Sequence, residues 1–331
     1  MKSKTKLKLA YFGSPDFSAL FLEKILTDPD LKKVIDVKLV VTQPDRPAGR
    51  KQILTETPVK TVAKKYHLEI FEIENLELFK NLKLKIKNFD LCLVYAFSQI
   101  IPKELLKVPK LGFWNLHPSL LPKYRGPSPI AYSLIFGEKE TGVTIIKMDE
   151  KIDHGPIIAQ EKLKIEDTDR RPDLEKKLTD LGFNLFKKTV FNKDSLYIER
   201  YKEQNHKAAT YSRLLKKQDG FIPLSVLKKA LKNEPLKFEE LPEILKEIEN
   251  CKLKIVNSSK IVIDYFRGLY PWPGLWTLLR QDFAGQPQEK RLKINEMKYD
   301  VLGCKLQITK VQLEGKKEVD FERFNRAYRI F

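Results

Sequence analysis

The stretch LKLAYFGSPDF, residues 7–17, joins a short apolar run to a turn and to the start of an amphipathic pattern. The run 7–12 is too short to cross a membrane or to form the apolar core of a signal peptide. It therefore predicts a first β-strand. Gly13 permits a tight turn after it, and Asp16 lies where a following helix would begin, a position that favours a carboxylate. The stretch predicts a strand that turns sharply into a helix.

Further apolar runs alternate with helix-like stretches along the first half of the chain. The predicted strands are 37–42, 68–71, 90–95 and 113–116, with two later strands at 141–148 and 156–163. The predicted helices are 17–26, 58–66, 76–86 and a longer one at 172–191. Such alternation is typical of an α/β protein, so we expect a mostly parallel, Rossmann-like sheet.

The length and the change of composition after residue 200 predict two domains. The chain has 331 residues, about twice the usual size of one domain. Residues 214–246 are rich in Lys, Glu and Leu and predict helix, whereas 290–295 and 305–311 alternate like short strands. We expect a catalytic domain over 1–200, a linker over 201–210 and a smaller β domain over 211–331.

The overall charge leaves two interpretations open. The chain has 62 Lys and Arg residues and 44 Asp and Glu residues, which gives a net charge of +18. Such a balance favours an anionic partner, nucleic acid first and phosphorylated metabolites second. A lysine-rich proteome explains the same balance equally well. With 42% apolar and 32% charged residues, the composition excludes a mostly disordered chain.

The cysteines and the first turn argue against a metal or a dinucleotide cofactor. Cys92, Cys251 and Cys304 form no CxxC pair, and their odd number fits a reducing compartment, so we expect a cytoplasmic protein without a metal site. The turn at Gly13 has one glycine where a dinucleotide fingerprint needs three, and Pro15 follows it. A nicotinamide cofactor is therefore not expected.

The candidate chemistry lies in GFWNLHPSLLPKYRGPSP, residues 112–129. Asn115 and His117 are two positions apart, so a strand would direct both side chains to one side. An amide and an imidazole facing one cavity suit a carbonyl under attack, because both can donate to the developing oxyanion. Asp153 follows a predicted strand and could orient His117, although an Asp-x-Gly turn is the structural alternative. A lone histidine is also more often structural than catalytic.

Asn115-x-His117, the segment SLLPKYRG at 119–126 and the downstream Asp153 together resemble the 10-formyltetrahydrofolate-dependent formyltransferase family. The resemblance covers most of the chain. The loop TQPDRPAGRK at 42–51 is similar to the insert with which the members that formylate methionyl initiator tRNA grip its acceptor end. The stretches YPWPGLW at 270–276 and VQLEGKK at 311–317 resemble the first and last parts of a C-terminal barrel of the OB type.

This resemblance implies 10-formyltetrahydrofolate as the formyl donor, methionyl initiator tRNA as the acceptor, and no metal, membrane or obligate protein partner. It implies Asn115, His117 and Asp153 as catalytic residues. The residues that it implies for folate binding are Phe97, Ser119, Leu120, Leu121 and Pro122. Those that it implies for tRNA binding are Arg46, Arg50 and Lys51, three cations suited to phosphates.

The chain departs from the family pattern in three places. Ala96-Phe97-Ser98 stands where relatives have Ala-Tyr-Gly, His154 follows Asp153 where a small residue is expected, and the segment 220–267 is longer than usual. A formyltransferase acting on an amino sugar nucleotide or on a purine-pathway amine is the alternative function. Such an enzyme would need neither the basic loop nor a basic C-terminal domain. A non-catalytic RNA-binding protein on the same scaffold would explain the charge but not the three catalytic residue types.

Overall fold

The computed structural model describes residues 6–49, 52–75, 77–192, 201–247, 257–283 and 286–331. The chain divides into two compact units, and neither is one continuous stretch. The first comprises Met1–Pro127, Glu140–Lys164 and Glu175–Tyr211, and the second comprises Ser128–Lys139, Ile165–Leu174 and Ser212–Phe331. The domain boundaries expected at 200 and 210 stay a prediction.

The first unit is built on a seven-stranded sheet. Its strands are β1 (Leu7–Phe12), β2 (Ile35–Thr42), β5 (Glu69–Glu72), β6 (Leu91–Val94), β7 (Phe113–His117), β8 (Glu140–Lys147) and β9 (Ile157–Lys164). Their order is β5-β2-β1-β6-β7-β8-β9. The first five are parallel, whereas β8 is antiparallel to both of its neighbours. The prediction of a mostly parallel α/β sheet is confirmed.

Helices follow most strands of this unit. They are α1 (Asp16–Thr27), α2 (Leu31–Val34), α3 (Pro58–Lys65), α4 (Leu78–Ile86) and α5 (Lys103–Leu106), with α7 (Arg171–Phe191) later in the chain. The Thr57 side chain starts α3 by accepting a hydrogen bond from the Lys60 amide, and Pro58 fits the first turn because it needs no amide partner there.

The turn after β1 requires a glycine. A Cβ at Gly13 would lie 2.0 Å from Ser18 Oγ and 2.9 Å from the Tyr95 carbonyl oxygen. Phe12, the last residue of β1, is fully buried and packs edge-on against Phe97 and Phe113. Close packing at this point fixes the carboxyl ends of the parallel strands, the edge at which α/β proteins bind ligands.

A small hairpin is inserted between β2 and α3. It consists of β3 (Arg46–Ala48) and β4 (Ile53–Thr55). The hydroxyls of Thr42 and Thr57, on either side of the insert, are 2.7 Å apart. Lys60 Nζ lies 2.8 Å from Asp45 and 2.9 Å from Glu72. The base of the hairpin is therefore held to the sheet and to α3.

The second unit contains an antiparallel sheet and several short helices. Its strands, in sheet order, are β10 (Leu275–Phe283), β11 (Gln286–Asp300), β12 (Lys305–Leu313) and β13 (Val319–Asp320). Its helices are α6 (Pro129–Ile135), α8 (Leu224–Leu231), α9 (Glu243–Lys246), α10 (Ser258–Leu269) and α11 (Phe321–Tyr328). The strands expected at 290–295 and 305–311 are confirmed within β11 and β12, and barrel closure stays a prediction. None of the helices in the described parts of the chain is long and apolar enough to span a membrane.

Candidate active site

Asn115, His117 and Asp153 meet at the carboxyl end of β7. Asn115 Nδ2 donates to Asp153 Oδ1 at 2.9 Å, and His117 Nδ1 lies 3.4 Å from Asp153 Oδ2. The backbone amide of Gly126 also donates to Asp153 Oδ2, at 2.7 Å. The structure thus brings together the three residues that the sequence singles out. Their catalytic roles remain to be tested.

The His117 ring is held at both nitrogens. Its Nε2 is 3.0 Å from the carbonyl oxygen of Tyr124, and because a carbonyl only accepts, Nε2 carries a proton in this contact. Nδ1 faces the Asp153 carboxylate. The side chain is about 5% exposed. The imidazole is therefore well ordered, and donation to a substrate oxygen requires exchanging one of these two contacts.

The loop between β8 and β9 brings Asp153 to this point through a strained turn. Asp153 has φ +49°, in the left-handed region that aspartate tolerates better than most residues. A Cβ at Gly155 would lie 1.8 Å from the carbonyl oxygen of Lys147, so only glycine allows this path. The Asp-x-Gly pattern forms a turn, and that turn points the carboxylate at Asn115 and His117.

The proposed folate segment 119–122 is pinned by hydrogen bonds to β8 and β9. Ser119 Oγ donates to the Lys123 carbonyl at 2.6 Å, and the Ser119 carbonyl accepts from Thr144 Oγ1 at 2.6 Å. The Leu121 carbonyl accepts from Gln160 Nε2 at 3.0 Å. Ser119 and Leu121 are buried, whereas Leu120 and Pro122 are half-buried. Leu120 and Pro122 therefore supply the side-chain surface available to a ligand.

Phe97 can offer a ligand only its backbone. Its side chain is 1% exposed and packs in the core against Phe12, while its carbonyl accepts from Gln43 Nε2 at 3.1 Å. The next residue, Ser98, has φ +62° and is exposed. Ser98 thus has a left-handed backbone conformation, which favours glycine. It occupies the position where the family has glycine.

The basic loop is only partly described. Arg46 is exposed and pairs with Thr55 in the hairpin, whereas Arg50 and Lys51 lie outside the described residues. Among the residues that the structure describes, no hydrogen bond or ion pair joins Arg46 to the three residues at the end of β7. The structure therefore places Arg46 on an exposed hairpin, and RNA binding by this residue stays a prediction.

Several contacts at the site involve residues that carry no motif. Gln204, in the predicted linker, donates to the carbonyls of Asp153 and Gly155. His206 stacks on His154 with ring centroids 4.0 Å apart. Loss of hydration, the nearby His154 and the Arg125 charge lower the pKa of His206. A neutral amide in a polar segment has no periodic or charge signature, so no sequence pattern points to Gln204.

The described residues offer no metal centre at this site: no group of three or more His, Cys, Asp or Glu side chains among them is placed to hold an ion. The polar groups around Asp153 are amides, an imidazole and backbone N–H groups. Such a set suits hydrogen bonding to a developing oxyanion and proton transfer to or from an amine.

The comparisons with known proteins agree with this chemistry. Residues 7–190 match the formyl transferase family. A methionyl-tRNA formyltransferase of Caldicellulosiruptor saccharolyticus is 34% identical over 98% of this chain and 98% of its own. A methionyl-tRNA formyltransferase of Staphylococcus aureus is 37% identical over 77% of this chain and 80% of its own. The chain therefore belongs to the methionyl-tRNA formyltransferase family.

Solved structures support the fold independently. A 4-N formyltransferase from Francisella tularensis superposes with a TM-score of 0.54 at 20% identity, covering 86% of this chain and 96% of its own. At that identity the similarity establishes the formyltransferase fold and leaves the acceptor undefined.

Proposed function

We propose that the protein transfers the formyl group of 10-formyltetrahydrofolate to the α-amine of methionyl initiator tRNA. The observation that carries this proposal is the Asn115–Asp153–His117 cluster, in a chain similar along nearly its whole length to methionyl-tRNA formyltransferases.

Attack of the amine on the formyl carbon forms a C–N bond and places negative charge on the formyl oxygen. Asn115 carries two amide protons, and only one is needed for the contact with Asp153. The second would donate to the oxyanion. His117 would supply the other donor once substrate replaces one of its two ring contacts. Preorganised donors of this kind stabilise a tetrahedral intermediate without reorganisation.

Collapse of the intermediate breaks the bond between the formyl carbon and the folate nitrogen. The attacking amine loses one proton and the departing nitrogen gains one, so the step is balanced without an external acid. Asp153 would accept the first proton, a role supported by the contacts of its two oxygens with Asn115, Gly126 and His117. His117 would aid protonation of the leaving nitrogen.

Recognition of the acceptor is assigned to the exposed hairpin and to the C-terminal part of the chain. We propose that Arg46, Arg50 and Lys51 bind phosphates of the acceptor stem, with residues 211–331 as a second contact. The net charge of +18 and the exposure of Arg46 support this assignment. Phe97 through its backbone and residues 119–122 are assigned to the folate.

The test is formyl transfer from 10-formyltetrahydrofolate to three acceptors in parallel: charged methionyl initiator tRNA, a nucleotide sugar amine and a purine-pathway amine. Transfer to the tRNA, with little or none to the other two, supports the proposal. Transfer to the sugar or purine amine alone would leave the protein a formyltransferase and overturn the choice of acceptor.

A further inference from the structure

We infer that Gln204 is a positioning residue for the transfer reaction, which ties the Asp153 loop to the Tyr124–Gly126 backbone and so fixes the three residues at the end of β7. The inference rests on the proposed function. It concerns a segment that the sequence predicts to be a linker.

The Gln204 carboxamide holds the turn that carries Asp153. Its Nε2 donates to the Asp153 carbonyl at 2.9 Å and to the Gly155 carbonyl at 2.7 Å. An amide nitrogen has two protons, so each carbonyl receives one. Gln204 is only 5% exposed, and Asp153 sits at φ +49°. These two hydrogen bonds offset the cost of the strained turn and leave neither carbonyl unpaired.

The other end of the same side chain is held equally firmly. Gln204 Oε1 accepts from Arg125 Nη2 at 2.7 Å and from Arg125 Nε at 3.2 Å. Arg125 is 2% exposed, and its own amide donates to the Thr210 carbonyl at 2.8 Å. The Gln204 amide group is therefore fixed on both its oxygen and its nitrogen.

Arg125 stands between the two backbone groups that hold the site. The carbonyl of Tyr124, on one side, faces His117 Nε2, and the amide of Gly126, on the other, donates to Asp153 Oδ2. Through its bonds to Arg125, the Gln204 side chain thus links the loop that carries Asp153 to residues 124–126, whose backbone contacts His117 and Asp153. A shift of either loop changes the Asp153–His117 separation.

The segment around Gln204 is itself anchored at both ends. Lys202 exchanges two backbone hydrogen bonds with Ile157, at 2.7 and 2.9 Å. Thr210 donates through its amide to the Pro122 carbonyl and accepts at its hydroxyl from the Tyr124 amide. Residues 202–210 form a strap with a defined path, and Gln204 is its contact with the Asp153 turn.

Glutamine fits this position better than its nearest analogues. Glutamate has the same length and could still pair with Arg125, but an ionised carboxylate has no proton for the two carbonyls. Methionine has a similar length and neither donor nor strong acceptor. Comparing these two variants separates the donor function toward Asp153 and Gly155 from the acceptor function toward Arg125.

We expect both Gln204→Met and Gln204→Glu to lower kcat by roughly 10–100-fold, since a misplacement of about 1 Å at a reacting group can cost 10²-fold. The KM for the formyl donor should change less than about threefold, because the groups assigned to folate binding are held by other bonds. Asn75→Leu is the matched control: Asn75, in the first unit, holds the backbone before α4, because its side-chain oxygen accepts from the amides of Glu77 and Leu78. It should leave kcat unchanged.

A second measurement keeps the inference testable without activity. Hydrogen exchange at the Gly126 amide reports the bond to Asp153 Oδ2 directly, and we expect it to quicken in both Gln204 variants and not in Asn75→Leu. Wild-type kcat and unchanged exchange in Gln204→Glu would overturn the inference, because that variant lacks the donors. If Gln204→Met does not fold, Gln204→Glu decides alone. Absence of tRNA formylation in the wild-type protein would refute the proposed function, and the exchange result would still judge Gln204.

Discussion

Removing the Asn115 amide tests the proposed chemistry most directly. In Asn115→Ala, Asp153 keeps the Gly126 amide at 2.7 Å and His117 at 3.4 Å, so the carboxylate should hold most of its orientation. What is lost is one preorganised donor to the oxyanion. Such a loss typically costs about 10²–10³ in kcat, or about 2.7–4 kcal/mol of transition-state stabilisation.

The assay is single-turnover formyl transfer to charged initiator tRNA, with donor affinity measured separately by titration. We expect kcat to fall by roughly 10²-fold or more while donor affinity changes little, because the lost contact forms fully only in the transition state. Asn75→Ala is a suitable control, since the exposed Asn75 side chain also makes hydrogen bonds, to the backbone amides of Glu77 and Leu78 before α4. Near wild-type turnover in folded Asn115→Ala would refute the oxyanion role.

Three further outcomes are expected. Asp153→Asn keeps the shape of the side chain but cannot accept the amine proton, so the rate of formyl transfer should fall steeply; an unchanged rate would leave Asp153 as a turn residue only. Ser98→Gly should stabilise the protein by about 0.5–1 kcal/mol, seen as a small rise in Tm, because glycine adopts φ +62° without the penalty that serine carries; a lower Tm would contradict this. Arg50→Ala should weaken use of tRNA and flatten the slope of log affinity against log salt while leaving donor binding intact, and identical slopes would remove the hairpin from the RNA interface.

Much of the fold can be predicted from local sequence patterns, because the elements they predict are present in the structure. The first strand matches its apolar run residue for residue, and the spacing of Asn115 and His117 already implies a common face. The helical character expected over 214–246 is broken into short pieces, because Pro223, Pro235 and Pro242 interrupt it.

Other features depend on contacts that no local pattern encodes. The helix α10 carries Lys260, Asp264 and Arg267 along one face, a pattern typical of a surface helix, yet eleven of its twelve residues are buried. The buried Asp264 and Arg267 form an ion pair at 2.9 Å. Gly268 within this helix lies against α6, where a Cβ would be 2.5 Å from Ile135 Cγ1. The strap at 202–210 is polar and irregular, and Gln204 within it donates to two carbonyls about 50 residues earlier in the chain. Pairing across such separations is a property of the folded chain.

The hairpin begins at the end of β2 and ends at the start of α3, and these two points are adjacent, since Thr42 and Thr57 touch through their hydroxyls. A loop whose two ends lie close together can change in length with little loss of stability, because each doubling of loop length adds only about 0.6 kcal/mol to the entropic cost of closing it. The groups around Asp153 lie in other stretches of the sequence. With the hairpin binding the acceptor, as proposed, evolution can lengthen, shorten or exchange it without moving the residues around Asp153, so that the acceptor can change while the chemistry is kept.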